Sequence, residues 1–241
     1  MRLELYEKPT GVRLVLGFPG FGLVGTIATK FLIEHLDVKA IGVIESDKLL
    51  PLAAIHKNKL IGPLDLFYSK KYNMVILQTL SELTGAEWKM GDIIEKLSAD
   101  LKAKEIVILE GLPSNKTSGT MKTYIYTENN KNIVSTGIPI LEEGVLMGVT
   151  ATIMLRVKDI PTSVILAESP SKYPDSDAAA RAIQALDKYW KIDVDFKPLM
   201  KAAKNFETML KGMMSKMKQQ QLTSPITSKN KSDSDDLDYI G

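Results

Sequence analysis

Apolar strand-like runs alternate with amphipathic helical stretches from Gly11 to about Trp190. This alternation predicts an α/β fold of three layers, a mostly parallel sheet with helices on both faces. Runs such as Met74-Val75-Ile76-Leu77 and Ile106-Val107-Ile108-Leu109 are wholly apolar, as strands buried on both faces must be. The chain has 241 residues, 44% hydrophobic and 25% charged, which is enough for one large core with appendages.

Taken in order, Leu14-Val15-Leu16-Gly17-Phe18 is a buried strand, followed by a glycine-rich turn and a helix through Ile27, Phe31 and Leu32. Ala40-Ile41-Gly42-Val43-Ile44 is a second strand. Ala54-Ile55-His56 and Lys59-Leu60-Ile61 flank Lys57-Asn58, a two-residue hairpin turn. The strand at 74–77 leads to a helix from about 86 to 101, with Ile93, Ile94, Leu97 and Leu101 on one face. Strands follow at 106–109 and at Val164-Ile165-Leu166. Near Trp190 the pattern changes, which bounds an α/β core domain at 1–192.

Residues 193–222 read as a connector and an amphipathic helix with Pro198 in its first turn. Leu199, Ala202, Phe206, Met209, Met213 and Met217 recur at steps of three and four, with lysines mostly between them. That stripe is an expected interface between copies of the chain, through Phe206, Met209, Met213 and Met217; a membrane-surface or peptide-binding helix is the competing use. From 223 the residues are almost all polar, so 223–241 is expected to be a disordered tail. It regains apolar and aromatic character only at Leu237, Tyr239 and Ile240, as a docking peptide does. Asp233, Asp235, Asp236 and Asp238 add salt-sensitive attraction toward a basic rim.

The formal net charge of +2 gives no footprint for nucleic acid and no polybasic membrane anchor. Cysteine is absent, which removes disulfides, thiolate nucleophiles and cysteine metal sites and suits a reducing compartment. Acids interrupt the first residues where a signal peptide needs an apolar stretch, and no run approaches the ~18 apolar residues of a membrane span. The expected location is the cytoplasm.

Gly20-x-Gly22-x-x-Gly25 follows a strand and opens a helix, and Glu45 stands about 20 residues on, at the end of the next strand. This is the spacing of a dinucleotide-binding unit, in which glycines admit a pyrophosphate and the acid holds a ribose hydroxyl. Against it, Gly17-Phe18-Pro19 displaces the turn, and Phe21 sets a large ring where phosphates would pass. Gly17, Gly20, Gly22 and Gly25 are therefore expected to be structural, permitting positive φ and close helix–sheet packing. A nucleotide- or small-molecule-binding enzyme or sensor using this loop is the alternative.

Other chemistry is sparse. His35 and His56 are the only histidines and lack metal-ligand spacing; His35 reads as a surface residue near a helix end. No nucleophile elbow or Walker loop is present. Glu142-Glu143 are expected at the N-terminal end of the helix that follows. Glu110-Gly111-Leu112-Pro113 ends a strand at the ligand-bearing carboxyl edge of the sheet, where a small-molecule pocket would lie.

Several stretches together carry a family resemblance. They are Gly17-Phe18-Pro19-Gly20-Phe21-Gly22-Leu23-Val24-Gly25, then Glu143-Gly144-Val145-Leu146-Met147-Gly148-Val149-Thr150-Ala151, and Ile160-Pro161 with Leu166-Ala167-Glu168-Ser169-Pro170. Pro174-Asp175-Ser176-Asp177-Ala178-Ala179-Ala180 and Val194-Asp195-Phe196-Lys197-Pro198-Leu199 complete the order. Over about residues 10 to 220 the chain resembles the archaeal proteasome assembly chaperone 2 family. The resemblance implies a phosphorylase-like fold, homo-oligomerisation, and a role in assembling or docking on the 20S proteasome α-ring. It implies no catalytic residue, cofactor or metal, and hence no enzyme.

Members of this kind can end in a hydrophobic–tyrosine–any-residue tail that inserts between α-subunits and presents its terminal carboxylate to a lysine. Here Tyr239 is third from the last residue, where that pattern has it second. Leu237, Tyr239, Ile240 and Gly241 are thus the expected partner-binding residues, and the expected partners are α-subunits and the chain itself.

Overall fold

The computed structural model describes residues 1–49, 51–56, 58–115, 121–170 and 172–195. Strand β1 (Arg2–Leu5) precedes β2 (Arg13–Gly17), a 3-10 turn (Phe21–Leu23) and helix α1 (Val24–His35). Next come β3 (Lys39–Glu45), the hairpin β4 (Ala54–His56) and β5 (Lys59–Ile61), β6 (Leu64–Ser69) and β7 (Met74–Thr79). Then follow α2 (Glu87–Asp100), β8 (Glu105–Pro113), β9 (Thr123–Thr127), α3 (Lys131–Val134), α4 (Gly148–Arg156), β10 (Thr162–Ser169) and α5 (Ser176–Trp190).

The main sheet has eight strands in the order β1-β3-β6-β7-β2-β8-β10-β9. Its centre is parallel: β2 pairs with β7 and β8, and β8 with β10. Both flanks are antiparallel, so the sheet is mixed, and the expected parallel arrangement describes its four central strands. The difference has a local cause. β6 and β7 are joined by a short turn, and adjacent strands so joined must run in opposite directions.

Along each central strand, successive side chains enter opposite cores. Val15, Ile76, Val107, Leu109 and Ile165 face α1 and α5. Leu14, Leu16, Leu77, Ile108 and Val164 face α2 and α4. Both faces are covered, which is why these strands read as continuous apolar runs. Helix α5 starts where the Asp175 carboxylate accepts from the Ala178 backbone N–H at 2.9 Å. Its buried side combines the small Ala178, Ala179, Ala182 and Ala185 with Ile183, Leu186 and Trp190, all packed into the core shared with α1. Ile192 and Val194, just after α5, are buried in the same core. The hairpin β4–β5 forms in the expected register, with Asn58 at φ +59° and Lys57 outside the described residues.

Helix α1 meets the sheet without side chains at the crossing. A Cβ on Gly25 would collide with the Leu109 carbonyl oxygen and come within 2.9 Å of Gly17 Cα. A Cβ on Gly17 would in turn strike the Gly25 carbonyl. Thr29 Oγ1 donates to the Gly25 carbonyl oxygen at 2.9 Å and ties off the first turn. An exposed mid-helix Gly→Ala change gains about 1 kcal/mol of helix propensity; here the sign should reverse. Gly25→Ala is expected to lose about 2 kcal/mol in urea denaturation, as overpacking does. Gly85→Ala, at φ +78° with nothing within 4 Å of the new Cβ, should lose only about 1 kcal/mol. A Gly25→Ala midpoint at or above that of the parent would refute the close-crossing account.

Candidate functional site

The carboxyl ends of the central parallel strands open into a cleft of about 400 Å³, the place where α/β sheets hold ligands. The glycine loop at 18–21 forms one wall, and residues 109–113 at the end of β8 form the floor. Residues 82–84 with Glu87, and 145–150 at the start of α4, close the other sides. Val145 and Met147 stand at its lip and are 84% and 73% exposed.

Glu110 is the polar centre of this cleft. It follows Ile108 on the face of β8 covered by α2 and α4, and pairs in register with Leu166 of β10. Its Oε2 is shut off from solvent and has no hydrogen-bond partner. Burial pushes the carboxyl up to about 7, while hydrogen bonding to Thr150 pulls the other way. Gly20 lies beside the carboxyl, where an added Cβ would be in ordinary contact with Glu110 Oε1 at 3.8 Å, so the bare glycine sets no side chain against it. Glu82 and Glu87 add two more carboxylates, and among the described residues no Lys, Arg or His lines the cleft.

The glycine loop borders the cleft, and its four glycines differ in surroundings. Gly17 and Gly25 lie against backbone at the α1 crossing, whereas Gly20 faces Glu110. Gly22 sits at φ +64°, and a Cβ there would come within 2.8 Å of Ser169 Oγ. Its carbonyl accepts from the Asp175 N–H at 2.9 Å, while Ser169 Oγ donates to Asp175 Oδ2 at 2.7 Å. The turn is thereby clamped to the cap of α5. Phe18 and Phe21 both line the cleft.

The acid of the dinucleotide fingerprint is elsewhere. Glu45 ends β3, which is separated from β2 by β6 and β7, three strand spacings of ~4.8 Å each. There it accepts from Arg2 at 2.9 Å. Glu142 and Glu143 also depart from expectation: helix α4 begins only at Gly148, so both lie exposed in the preceding loop and not in its first turn. His35 is exposed at the end of α1, stacked on Phe31 with ring centroids 3.8 Å apart. Among the described residues no group of three or more His, Asp or Glu could hold a metal ion, and no helix is long and apolar enough to cross a membrane. Phe206, Met209, Met213, Met217, Leu237, Tyr239, Ile240 and Gly241 lie outside the described residues. Thr150, Glu82 and Glu87 were not distinguishable as cleft residues in sequence; only the strand-end position of Glu110 signalled the site.

The model of the PAC2 family matches residues 14–214 of the chain. The uncharacterised protein MJ0106 of Methanocaldococcus jannaschii is 29% identical over 214 residues, covering 86% of this chain and 85% of that one. The crystal structure of Pyrococcus furiosus PbaA, an archaeal homolog of proteasome-assembly chaperone, superposes with a TM-score of 0.80 at 25% identity. That likeness covers 91% of this chain and 99% of PbaA. P. furiosus PbaB, an archaeal proteasome activator, shares the fold at a TM-score of 0.71 and 18% identity, over 88% of this chain and 98% of its own.

The Glu110 carboxyl is raised from 4.5 to about 7, so the folded chain keeps a proton that the unfolded chain has released between those values. The stability due to its neutral form is complete below the unfolded value and is lost as the pH rises through about 7. Glu110→Gln is neutral at every pH. It should therefore nearly match the parent near pH 4 and exceed it at pH 8, by at most on the order of 3 kcal/mol. Chemical denaturation at the two pH values checks this; an equal difference at both would show that Glu110 is not held neutral by burial.

Proposed function

The chain belongs to the PAC2 family, and from that premise we propose that it is a proteasome assembly chaperone or adaptor. It binds 20S proteasome α-subunits, acts as a homo-oligomer, and does so in the cytoplasm without catalysing a reaction. The observation that carries this conclusion is the likeness to PbaA, which runs through nearly the whole of both chains. The correspondence is with the entire architecture and not with a shared module.

Two segments would supply the contacts. Phe206, Met209, Met213 and Met217 repeat at helical spacing in the sequence, and on a helix they would make an apolar stripe too large to leave in water on a monomer. Burying it between copies gathers several tails on one body. Leu237, Tyr239, Ile240 and Gly241 follow a polar tether, with Tyr239 as a rigid aromatic anchor. Each tail alone would bind weakly, and several on one oligomer bind a ring of α-subunits by avidity. The nucleotide alternative draws no support from the cleft, whose ionisable groups among the described residues are three acids and no base, so nothing there would offset the charge of a polyphosphate.

Light scattering on the full chain should give a multiple of 26.7 kDa, and Met209→Lys with Met213→Lys should lower it toward the single-chain mass. A monomer at tens of micromolar would remove the oligomer from the proposal. Deleting 237–241, or Tyr239→Ala, should weaken binding to an immobilised α-ring at least tenfold and leave the oligomer and its melting temperature unchanged. Undiminished binding by both variants would place the contact on the folded body; no binding by the parent chain would overturn the chaperone assignment.

A further inference from the structure

We propose that the cleft at the carboxyl edge of the sheet binds a small organic cation, an ammonium or guanidinium group on an apolar body, with the charged end on Glu110. This is independent of the chaperone assignment and concerns the folded body alone.

The chemistry of the lining is one-sided. Phe18, Phe21, Leu83, Leu112, Val145 and Met147 offer apolar and aromatic surface, suited to a hydrocarbon body and to cation–π contact. Among the described residues the ionisable groups are all acids: Glu110 in the floor, Glu82 on the loop after β7, and Glu87 on α2. An anionic ligand would meet the carboxylates of Glu82 and Glu87 and, above about pH 7, that of Glu110 as well. A neutral one could hydrogen-bond the carboxyl but brings no charge to offset the desolvation of its ionised form, whose Oε2 is buried and unpartnered. A cation compensates through the other oxygen, Oε1, which lies toward Gly20: its N–H groups donate there and its charge offsets the desolvation of the whole carboxylate.

The cleft also has room and access. Its volume of about 400 Å³ lies in the range of small-molecule sites, and Gly20 puts no side chain between the opening and the carboxyl. Substituting any larger residue at Gly20 would narrow that approach. Because Glu110 must be ionised to hold a cation, and its neutral form persists to about pH 7, binding is coupled to loss of a proton. Glu82 and Glu87 act only at longer range, and their influence should fade with salt.

The test is isothermal titration of the full chain with 2-phenylethylammonium, with 2-phenylethanol and 3-phenylpropionate as neutral and anionic counterparts. One ammonium should bind per chain at millimolar affinity or better, about tenfold more tightly at pH 8 than at pH 6, as the ionised fraction of Glu110 dictates. The alcohol and the carboxylate should bind at least tenfold more weakly. Glu110→Gln should lose at least tenfold in ammonium affinity, with circular dichroism showing the fold intact; Gly20→Leu is a second variant that blocks the approach and keeps the carboxyl. Nα-acetyl-lysine methylamide, titrated alongside, identifies the source: tighter binding than phenylethylammonium assigns the site to a lysine side chain of another protein, weaker binding to a free amine. Equal binding of alcohol and ammonium, or full affinity in Glu110→Gln, would overturn the proposal.

Discussion

Helix α1 can rest on the sheet only because its backbone meets that of β2 and β8 with no side chain between them. Gly25 touches the Leu109 carbonyl, Gly17 touches Gly25, and Gly111 receives the Phe21 carbonyl. A glycine inside a helix is unfavourable by itself, so the crossing is maintained by what it allows on either side. Val24, Ile27, Ala28, Phe31 and Leu32 are lowered into the first core, where α5 joins them. On the amino-terminal side, the 3-10 turn is held against Gly111, and Gly22 is drawn to Ser169 and Asp175 at the cap of α5. The same contact therefore fixes two helices and one wall of the cleft.

What the sequence revealed follows from burial. The four central strands are covered on both faces, so their composition announces them. β1, β6 and β9 are half-covered, with mixed residues such as Arg2-Leu3-Glu4-Leu5 and Thr123-Tyr124-Ile125-Tyr126-Thr127, and a single sequence gives them little contrast with loops. Strand order is a different kind of information. Glu45 has the right separation from Gly25 for a ribose-binding acid, yet the chain places β3 on the antiparallel flank, with two strands between it and β2. Spacing along a chain cannot report that. The loop before α4 was hidden for a similar reason, since Glu142-Glu143 look like a helix start while the positive-φ Gly148 delays it.

The glycine pattern shows how one local arrangement answers two different demands. In a dinucleotide site, missing side chains make room for phosphate oxygens. Here Gly17, Gly22 and Gly25 have their space taken by carbonyls and by Ser169. These contacts are sufficient physical reason for glycine at all three positions. The fourth, Gly20, is the one with space beyond it, and that space leads to a carboxylate. The electrostatic character of the cleft is thus the reverse of a phosphate site, although the motif beside it has phosphate-site spacing.

Glu110 is the residue for which packing offers no explanation. A glutamine would occupy nearly the same volume and keep an acceptor toward Thr150, without the cost of desolvating a charge. An aliphatic residue would extend the apolar run of Ile106 and Ile108 on the same face of β8 and add to the second core. Neither change would disturb the α1 crossing, which lies on the opposite face of the strand. The carboxyl instead sits at the one point where the parallel strands end, the glycine loop stands open and the surrounding ionisable groups are acids. A group that the fold could replace at no structural loss, placed where the sheet presents ligands, is accounted for by what enters the cleft and not by what surrounds it in the folded chain.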